Sequence, residues 1–152
     1  IIPALTYFMG GFIFGWAKPV PYNPYNLKNQ KWGPAVVAGA GPFSNLLVAL
    51  VFGLTVRFAA ALALPAAFAQ VAILVVFINL ILLIFNLVPI PPLDGSKVLF
   101  ALLPLRFYHI QRFLEQYGFI LIVVFILFFW NLILPIVFLL FNIITGIGFS
   151  DF

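Results

Sequence analysis

Charged residues are scarce in this sequence, and cysteine is missing altogether. Only 7% of the 152 residues are Asp, Glu, Lys or Arg, whereas a soluble globular domain carries about 25%. A chain with so few charges cannot cover a water-facing surface with polar side chains, which excludes a soluble domain. The lack of cysteine excludes disulfides and cysteine-bound metals, and it leaves the redox compartment undefined.

Apolar residues make up 66% of the chain and occur in long runs that do not alternate with polar residues. In lipid, only helices or closed barrels satisfy the backbone hydrogen bonds. A barrel requires alternating apolar and polar positions, so the long runs exclude it. The sequence therefore predicts an all-α fold, a polytopic integral membrane helical bundle, with residues 1–152 as a single membrane domain.

Length and proline positions divide this domain into segments, because a span needs about 20 apolar residues and proline ends or kinks a helix. No basic segment precedes the first apolar run, as it would in a signal peptide, so we expect the chain to begin inside a span. The predicted segments are the end of that span at 1–14, a polar loop at 15–33, spans at 34–64 and 66–88, a turn with short helices broken at Pro104 at 89–116, and one or two spans at 117–149, with Pro135 as a kink or break.

The basic residues predict an orientation. Two spans separate the loop at 15–33 from the segment at 89–116, so both lie on one side of the membrane, and the positive-inside rule makes that side cytoplasmic. Topology and anionic lipid then account for the net charge of +4, and no nucleic-acid partner is expected. Six of the seven basic residues lie in these two segments, and only Arg57 lies elsewhere: Lys18, Lys28, Lys31, Lys97, Arg106 and Arg112.

Polar and small residues inside the spans are the informative ones, because lipid makes polar groups costly. A stripe of small residues around one amide is typical of close helix packing, and it consists of Gly41, Asn45, Ala49 and Gly53. Two pairs of amides also share helix faces, and an interhelical hydrogen bond is the simplest interpretation of each: Asn79 with Asn86, and Asn131 with Asn142.

The densest signal is the stretch at 85–95, Phe-Asn-Leu-Val-Pro-Ile-Pro-Pro-Leu-Asp-Gly. Asn86 ends a membrane helix, the prolines force an extended turn, and Asp94 follows at the membrane edge. Asp94 has two interpretations, which are compatible. It can cap a helix that begins near Ser96, where its charge also suits the helix dipole, or it can bind a metal as a carboxylate held by a rigid turn.

Three motifs in this order resemble those of the site-2 protease family of zinc intramembrane metalloproteases, in its compact bacterial form without a PDZ domain. Residues 15–23, Gly-Trp-Ala-Lys-Pro-Val-Pro-Tyr-Asn, resemble a loop of these proteins. Residues 41–45, Gly-Pro-Phe-Ser-Asn, resemble the Gly-Pro-x-x-Asn motif. Residues 86–95 resemble the Asn-Pro-Asp-Gly type motif. The resemblance covers residues 15 to about 103, and the final third of the chain carries no such motif.

The resemblance implies a function and a site. It implies an endopeptidase of the bacterial inner membrane that cleaves transmembrane helices of substrate proteins, with one zinc held by two His of a His-Glu-x-x-His helix and by Asp94 as third ligand. Asn86 would be an oxyanion donor or substrate contact, and Asn45, Pro89 and Pro91 would bind substrate. The loop at 15–29 would offer an extended edge to an unwound substrate helix.

The sequence departs from the family because it contains no His-Glu-x-x-His. Its only His is His109 and its only Glu is Glu115, both in a basic helical stretch, where we expect a solvated position and, for Glu115, pairing with Arg112 or water. We therefore expect this chain alone to be inactive and the motif to lie upstream. A catalytically dead scaffold that binds membrane helices is the alternative, and a small transporter or channel subunit is a third. Oligomeric state and substrate identity are not indicated.

Overall fold

The computed structural model describes Asn29 and residues 32–148. This part of the chain contains four α-helices and no strand, which confirms the predicted all-α fold. The helices are α1 (Gly33–Arg57), α2 (Ala66–Leu87), α3 (Asp94–Leu102) and α4 (Tyr108–Thr145), with a 3-10 turn at Leu105–Phe107. Three of them, α1, α2 and α4, are long and apolar enough to cross a membrane.

Helices α1 and α2 form a hairpin whose limits follow from proline and charge. A proline lies in the first turn of α1, where a missing N–H costs nothing. The helix ends at Arg57, before the predicted limit of residue 64, and residues 58–63 form turns. Helix α2 ends before Val88, which is extended (φ −62°, ψ 128°). The residue before a proline is driven to this conformation, and Pro89 follows.

Helix α4 runs without a break for 38 residues, through Pro135. At 1.5 Å per residue it is about 57 Å long, whereas the hydrocarbon core is about 30 Å thick. It therefore extends well beyond one membrane crossing, and it includes residues 108–116, which the sequence placed in a separate short helix. At its C-terminus, Gly146 adopts a left-handed conformation (φ 74°) and donates its N–H to the Asn142 carbonyl, at 2.8 Å.

The core of the bundle lies where α1, α2 and the C-terminal third of α4 meet. Ala49 is fully buried there, and a Cβ at Gly53 would overlap the Ile144 side chain. The packing interpretation of the small-residue stripe is thus confirmed at these two positions. The remaining apolar surface is exposed, as lipid-facing side chains are. The buried residues of this core are Ala49, Val76, Leu80, Leu83, Ile133, Val137, Phe141 and Ile144.

One hydrogen bond defines the two ends of the bundle. The Arg57 Nη1 at the end of α1 donates to the Ile143 carbonyl near the end of α4, at 2.8 Å. The C-termini of α1 and α4 therefore lie together, and we call this the Arg57 end. The start of α1, the end of α2 and α3 lie at the opposite end, which we call the proline-turn end after residues 88–93.

Candidate active site

The proline turn leads the chain from α2 directly into α3. Its main chain is held internally, because the Ile90 N–H donates to the Val88 carbonyl and the Leu93 N–H donates to the Ile90 carbonyl, each at 2.9 Å. The Pro91–Pro92 peptide bond is cis. The buried Ser96 then donates its hydroxyl to the Leu93 carbonyl, at 2.6 Å. These hydrogen bonds fix the conformation of the turn and thereby place Asp94 near the C-terminal end of α2.

Two glycines allow helices to touch this turn through their backbones. A Cβ at Gly95 would overlap the main-chain carbonyls of Leu87 and Val88, so α3 starts in contact with the end of α2. A Cβ at Gly118 would overlap the Pro91 carbonyl, so α4 contacts the middle of the turn. Sequence reasoning missed Gly118. The available signal was a lone glycine inside a long helical pattern, which often has a packing reason.

Asp94 is the first residue of α3, and its side chain does not cap the helix. The cap position is Leu93, and no side chain makes a capping hydrogen bond there. The predicted capping role of Asp94 is therefore wrong. The reason is that α3 begins two residues before Ser96, the expected start, which places Asp94 inside the helix. Its charge in the first turn still interacts favourably with the helix dipole.

The two oxygens of the Asp94 carboxylate have different neighbours. Oδ1 accepts a hydrogen bond from the Lys97 Nζ at 3.3 Å, in an ion pair whose side chains are 32% and 39% exposed, respectively. Oδ2 faces α1, where a Cβ at Gly41 would lie 3.0 Å from it. The carboxylate thus lies between a cation of its own helix and the bare backbone of α1, and it remains partly accessible.

Asn45 and Asn86 lie near this carboxylate along the bundle axis. Helices α1 and α2 run antiparallel. Val76 lies opposite Gly53, because its side chain would be 3.6 Å from a Cβ added at Gly53. This register puts Asn45 level with Ile84, within one helical turn of Asn86. Both amides are half-buried. Within the described part of the chain, neither side chain makes a hydrogen bond, so both keep their capacity to bind a further group.

The other predicted site residues are placed as follows. Pro89 is exposed at the rim of the turn, and Pro91 is half-buried with its carbonyl against Gly118. Asn79 donates to the Val75 carbonyl of its own helix at 2.8 Å, so the expected bond between helices is not formed by this group. Asn131 and Asn142 are both exposed on α4.

His109 and Glu115 are both exposed on the first turns of α4, before Gly118. Glu115 accepts a hydrogen bond from the Gln111 side chain at 2.9 Å, where the sequence suggested Arg112 or water. The predicted substrate edge at 15–29 lies, apart from Asn29, outside the described residues.

The described residues can be tested for a zinc site. Among them, no three His, Asp or Glu side chains come together. Asp94 fits one ligand position, because it is a partly exposed carboxylate whose Oδ2 lies in a space that a Cβ at Gly41 would narrow. The arrangement can therefore contribute one oxygen ligand and two free amides to a larger site.

Comparison with known proteins identifies the family. Peptidase family M50 matches residues 55–130, half of the chain, from the end of α1 through the proline turn into α4. A Bacillus subtilis (strain 168) protein named "Putative zinc metalloprotease YwhC" is 37% identical over 117 residues, which cover 73% of this chain and 53% of that protein. The chain thus spans about half the length of this relative, and no solved structure matches it. The chain belongs to peptidase family M50, the family of the site-2 proteases.

Proposed function

We propose that this chain forms the aspartate-bearing part of a zinc-dependent intramembrane endopeptidase that cleaves transmembrane helices of other proteins. The observation that carries the proposal is the position of Asp94 in a chain of family M50. Its carboxylate is not consumed as a helix cap, and it lies at the membrane end of α2 beside the backbone of α1.

Asp94 would serve as the third zinc ligand in this function. Bound zinc would supply an acidified water and polarise the scissile carbonyl. Three protein ligands are usual in such sites, and the sequence contains one His, which lies on the exposed start of α4. Two His ligands would therefore come from outside these 152 residues. Lys97 donates a hydrogen bond to the carboxylate oxygen Oδ1, at 3.3 Å, and thereby orients the side chain.

Asn86 and Asn45 would bind the main chain of the substrate. A helix that is unwound for cleavage exposes N–H and C=O groups, which are costly in lipid unless they find partners. The two half-buried amides lie within one helical turn of each other along the bundle axis, and they are free to supply such partners. Asn86 would also stabilise the oxyanion that develops at the scissile carbonyl. Pro89 and Pro91 would form a rigid rim beside them.

The proposal is tested at Asp94 in the complete gene product. Asp94→Asn keeps the shape of the side chain and removes the charge that zinc requires, so zinc should weaken and cleavage of a membrane-helix substrate should fall sharply. Glu115→Gln is the matched control, because it neutralises an exposed carboxylate of α4. Unchanged zinc content and full cleavage in Asp94→Asn would refute the proposal.

Asn86→Ala separates substrate binding from metal binding. Zinc content should be retained, because Asn86 is not a ligand, and turnover should fall about 100-fold if its amide stabilises the oxyanion. Asn131→Ala, at an exposed position of α4, should leave turnover unchanged. Loss of zinc in Asn86→Ala would assign this residue a different role.

The 152-residue chain alone should bind zinc no more tightly than micromolar and cleave nothing, since Asp94 is its single ligand at the proline turn. Stoichiometric zinc that survives dialysis would contradict this expectation and would make His109 a candidate zinc ligand. If the complete gene product binds membrane helices without zinc or cleavage, the chain is part of a scaffold, the alternative function.

We also propose that the proline-turn end faces the cytoplasm of a bacterial cell. Arg106 and Arg112 lie at this end, and Arg57 lies at the other, so the described basic residues agree with the positive-inside rule. A cysteine replacing Arg112 should resist a membrane-impermeant thiol reagent in intact cells, and a cysteine replacing Arg57 should react. The reverse pattern would overturn the orientation.

A further inference from the structure

Two glycines on α1, separated by one residue, have different surroundings. A Cβ added at Gly39 would meet no atom within 4 Å. A Cβ added at Gly41 would meet one atom within that distance, the Asp94 Oδ2, at 3.0 Å. Elsewhere in the described bundle, a Cβ at Gly53, Gly95 or Gly118 would overlap packed side chains or main-chain carbonyls. Gly41 is therefore distinguished by contact with a carboxylate oxygen alone.

We propose that Gly41 is a positioning residue for Asp94, and this inference rests on the proposed function. Its missing side chain leaves the space in which the oxygen Oδ2 lies, on the face of the carboxylate opposite the Lys97 ion pair. The carboxylate is thus bounded on both sides: Lys97 holds Oδ1 at 3.3 Å, and the backbone of α1 limits Oδ2. The first atom that a side chain at position 41 would meet is therefore the Asp94 oxygen Oδ2.

The size of the displacement makes this contact relevant to metal binding. A methyl group at position 41 would be tighter against Oδ2 than ordinary van der Waals contact, so the oxygen would shift by a few tenths of an ångström. Metal–ligand distances in a working site are held to about 0.2 Å. A shift of this size disturbs packing little, but it exceeds the tolerance of metal–ligand distances. Zinc affinity should therefore change more than the stability of the fold.

The experiment compares Gly41→Ala with Gly39→Ala in the complete gene product. Both changes place alanine in α1 and raise its helix propensity equally, so their difference reports the contact with Asp94. Zinc affinity, measured by competition with a chelator, should fall about 10- to 100-fold in Gly41→Ala, the range for residues that orient metal ligands. It should be unchanged in Gly39→Ala, and the activity of Gly41→Ala should return at saturating zinc.

Two outcomes of this comparison would overturn the inference. One is a Gly41→Ala protein with the zinc affinity of the original. The other is a thermal midpoint of metal-free Gly41→Ala far below that of metal-free Gly39→Ala, because it would show that position 41 serves packing instead.

A cross-link tests whether positions 41 and 94 are adjacent, and it does not require bound zinc. It therefore separates this inference from the proposed function. The 152 residues contain no cysteine, so a pair introduced by Gly41→Cys and Asp94→Cys is unambiguous. A Cβ at position 41 lies 3.0 Å from the carboxylate oxygen Oδ2 but more than 4 Å from the Cβ of Asp94, which is long for a disulfide. A short bifunctional thiol reagent should therefore join this pair, and it should do so faster than it joins Gly39→Cys with Asp94→Cys. If the original protein binds no zinc, the proposed function fails, and the cross-link alone decides whether Gly41 adjoins residue 94. A 41–94 pair that is cross-linked no faster than the 39–94 pair would refute the geometry.

Discussion

The two ends of the bundle both depend on glycine, but the groups that approach the glycines differ. At the Arg57 end, the neighbour of Gly53 is the side chain of Ile144. At the proline-turn end, the neighbours of Gly95 and Gly118 are main-chain carbonyls. A side chain can rotate or be shortened to relieve a contact, whereas a backbone that is fixed by hydrogen bonds cannot. The close contacts at the proline-turn end are therefore the less adjustable ones, as the zinc-ligand role proposed for Asp94 would require.

The largest expected effect is that of Gly95→Ala. The added methyl group would overlap the carbonyls of Leu87 and Val88, so α3 would have to separate from α2. We expect the free energy of unfolding to fall by about 3 kcal/mol, the upper range for overpacking. Denaturant or thermal unfolding in detergent measures it, with Gly39→Ala as the control. A Gly95→Ala protein as stable as this control would contradict the structure at the turn.

Gly118→Ala should follow, with a loss of about 2 kcal/mol. Its added methyl group would overlap the Pro91 carbonyl, whereas the one at Gly95 would overlap the carbonyls of two residues. No side-chain truncation should restore stability, because the overlapping atom belongs to the main chain. Recovery of stability in a double variant that shortens a neighbouring side chain would show that the contact is of the same kind as at Gly53.

Gly53→Ala tests the other end and should cost about 1–2 kcal/mol. Here the overlap is with a side-chain methyl group, so Ile144→Ala should relieve it. In a double-mutant cycle, the two changes together should cost less than the sum of the single costs, by about 1 kcal/mol. Strict additivity would mean that the two residues do not touch, and the comparison of the two ends would fail.

The smallest effect is expected for Arg57→Gln, about 1 kcal/mol. The change removes a hydrogen bond from a charged donor to the Ile143 carbonyl and a positive charge near the C-terminus of α4, where the helix dipole favours cations. Arg112→Gln, at an exposed position early in α4, is the control and should be neutral. Equal losses in the two variants would remove the specific role of Arg57.

Much of the fold follows from local rules. The second span was predicted at 66–88 and the structure has α2 at Ala66–Leu87, because Pro65 and Pro89 bracket a predominantly apolar run. The first span was predicted to continue to residue 64, but α1 ends at Arg57. No proline marks that position in the sequence, and the Arg57 side chain bonds to the main chain of α4. The continuity of α4 through Pro135 was also open, because a proline permits either a kink or a break.

The candidate site was predicted in part. The motif at 86–95 identified Asn86 and Asp94 from their residue types and spacing. The sequence assigned Asp94 a possible capping role, which is wrong because the helix begins at Asp94 itself. It also gave no reason to connect Gly118 with Pro91, since the two residues are distant in the chain and a lone glycine has no partner signal.

The sequence by itself determined that this chain is a membrane-embedded helical bundle with a carboxylate at a proline turn, because apolar length, proline positions and residue chemistry are local properties. Only the tertiary structure decided which atoms border that carboxylate. Lys97 on one side and Gly41 on the other depend on how α3 packs against α1, and this packing is set by close backbone contacts at glycines of different helices. The recurrence of small residues along α1 indicates that a close contact forms but not which atoms approach, because a glycine carries no side chain whose chemistry would identify its partner.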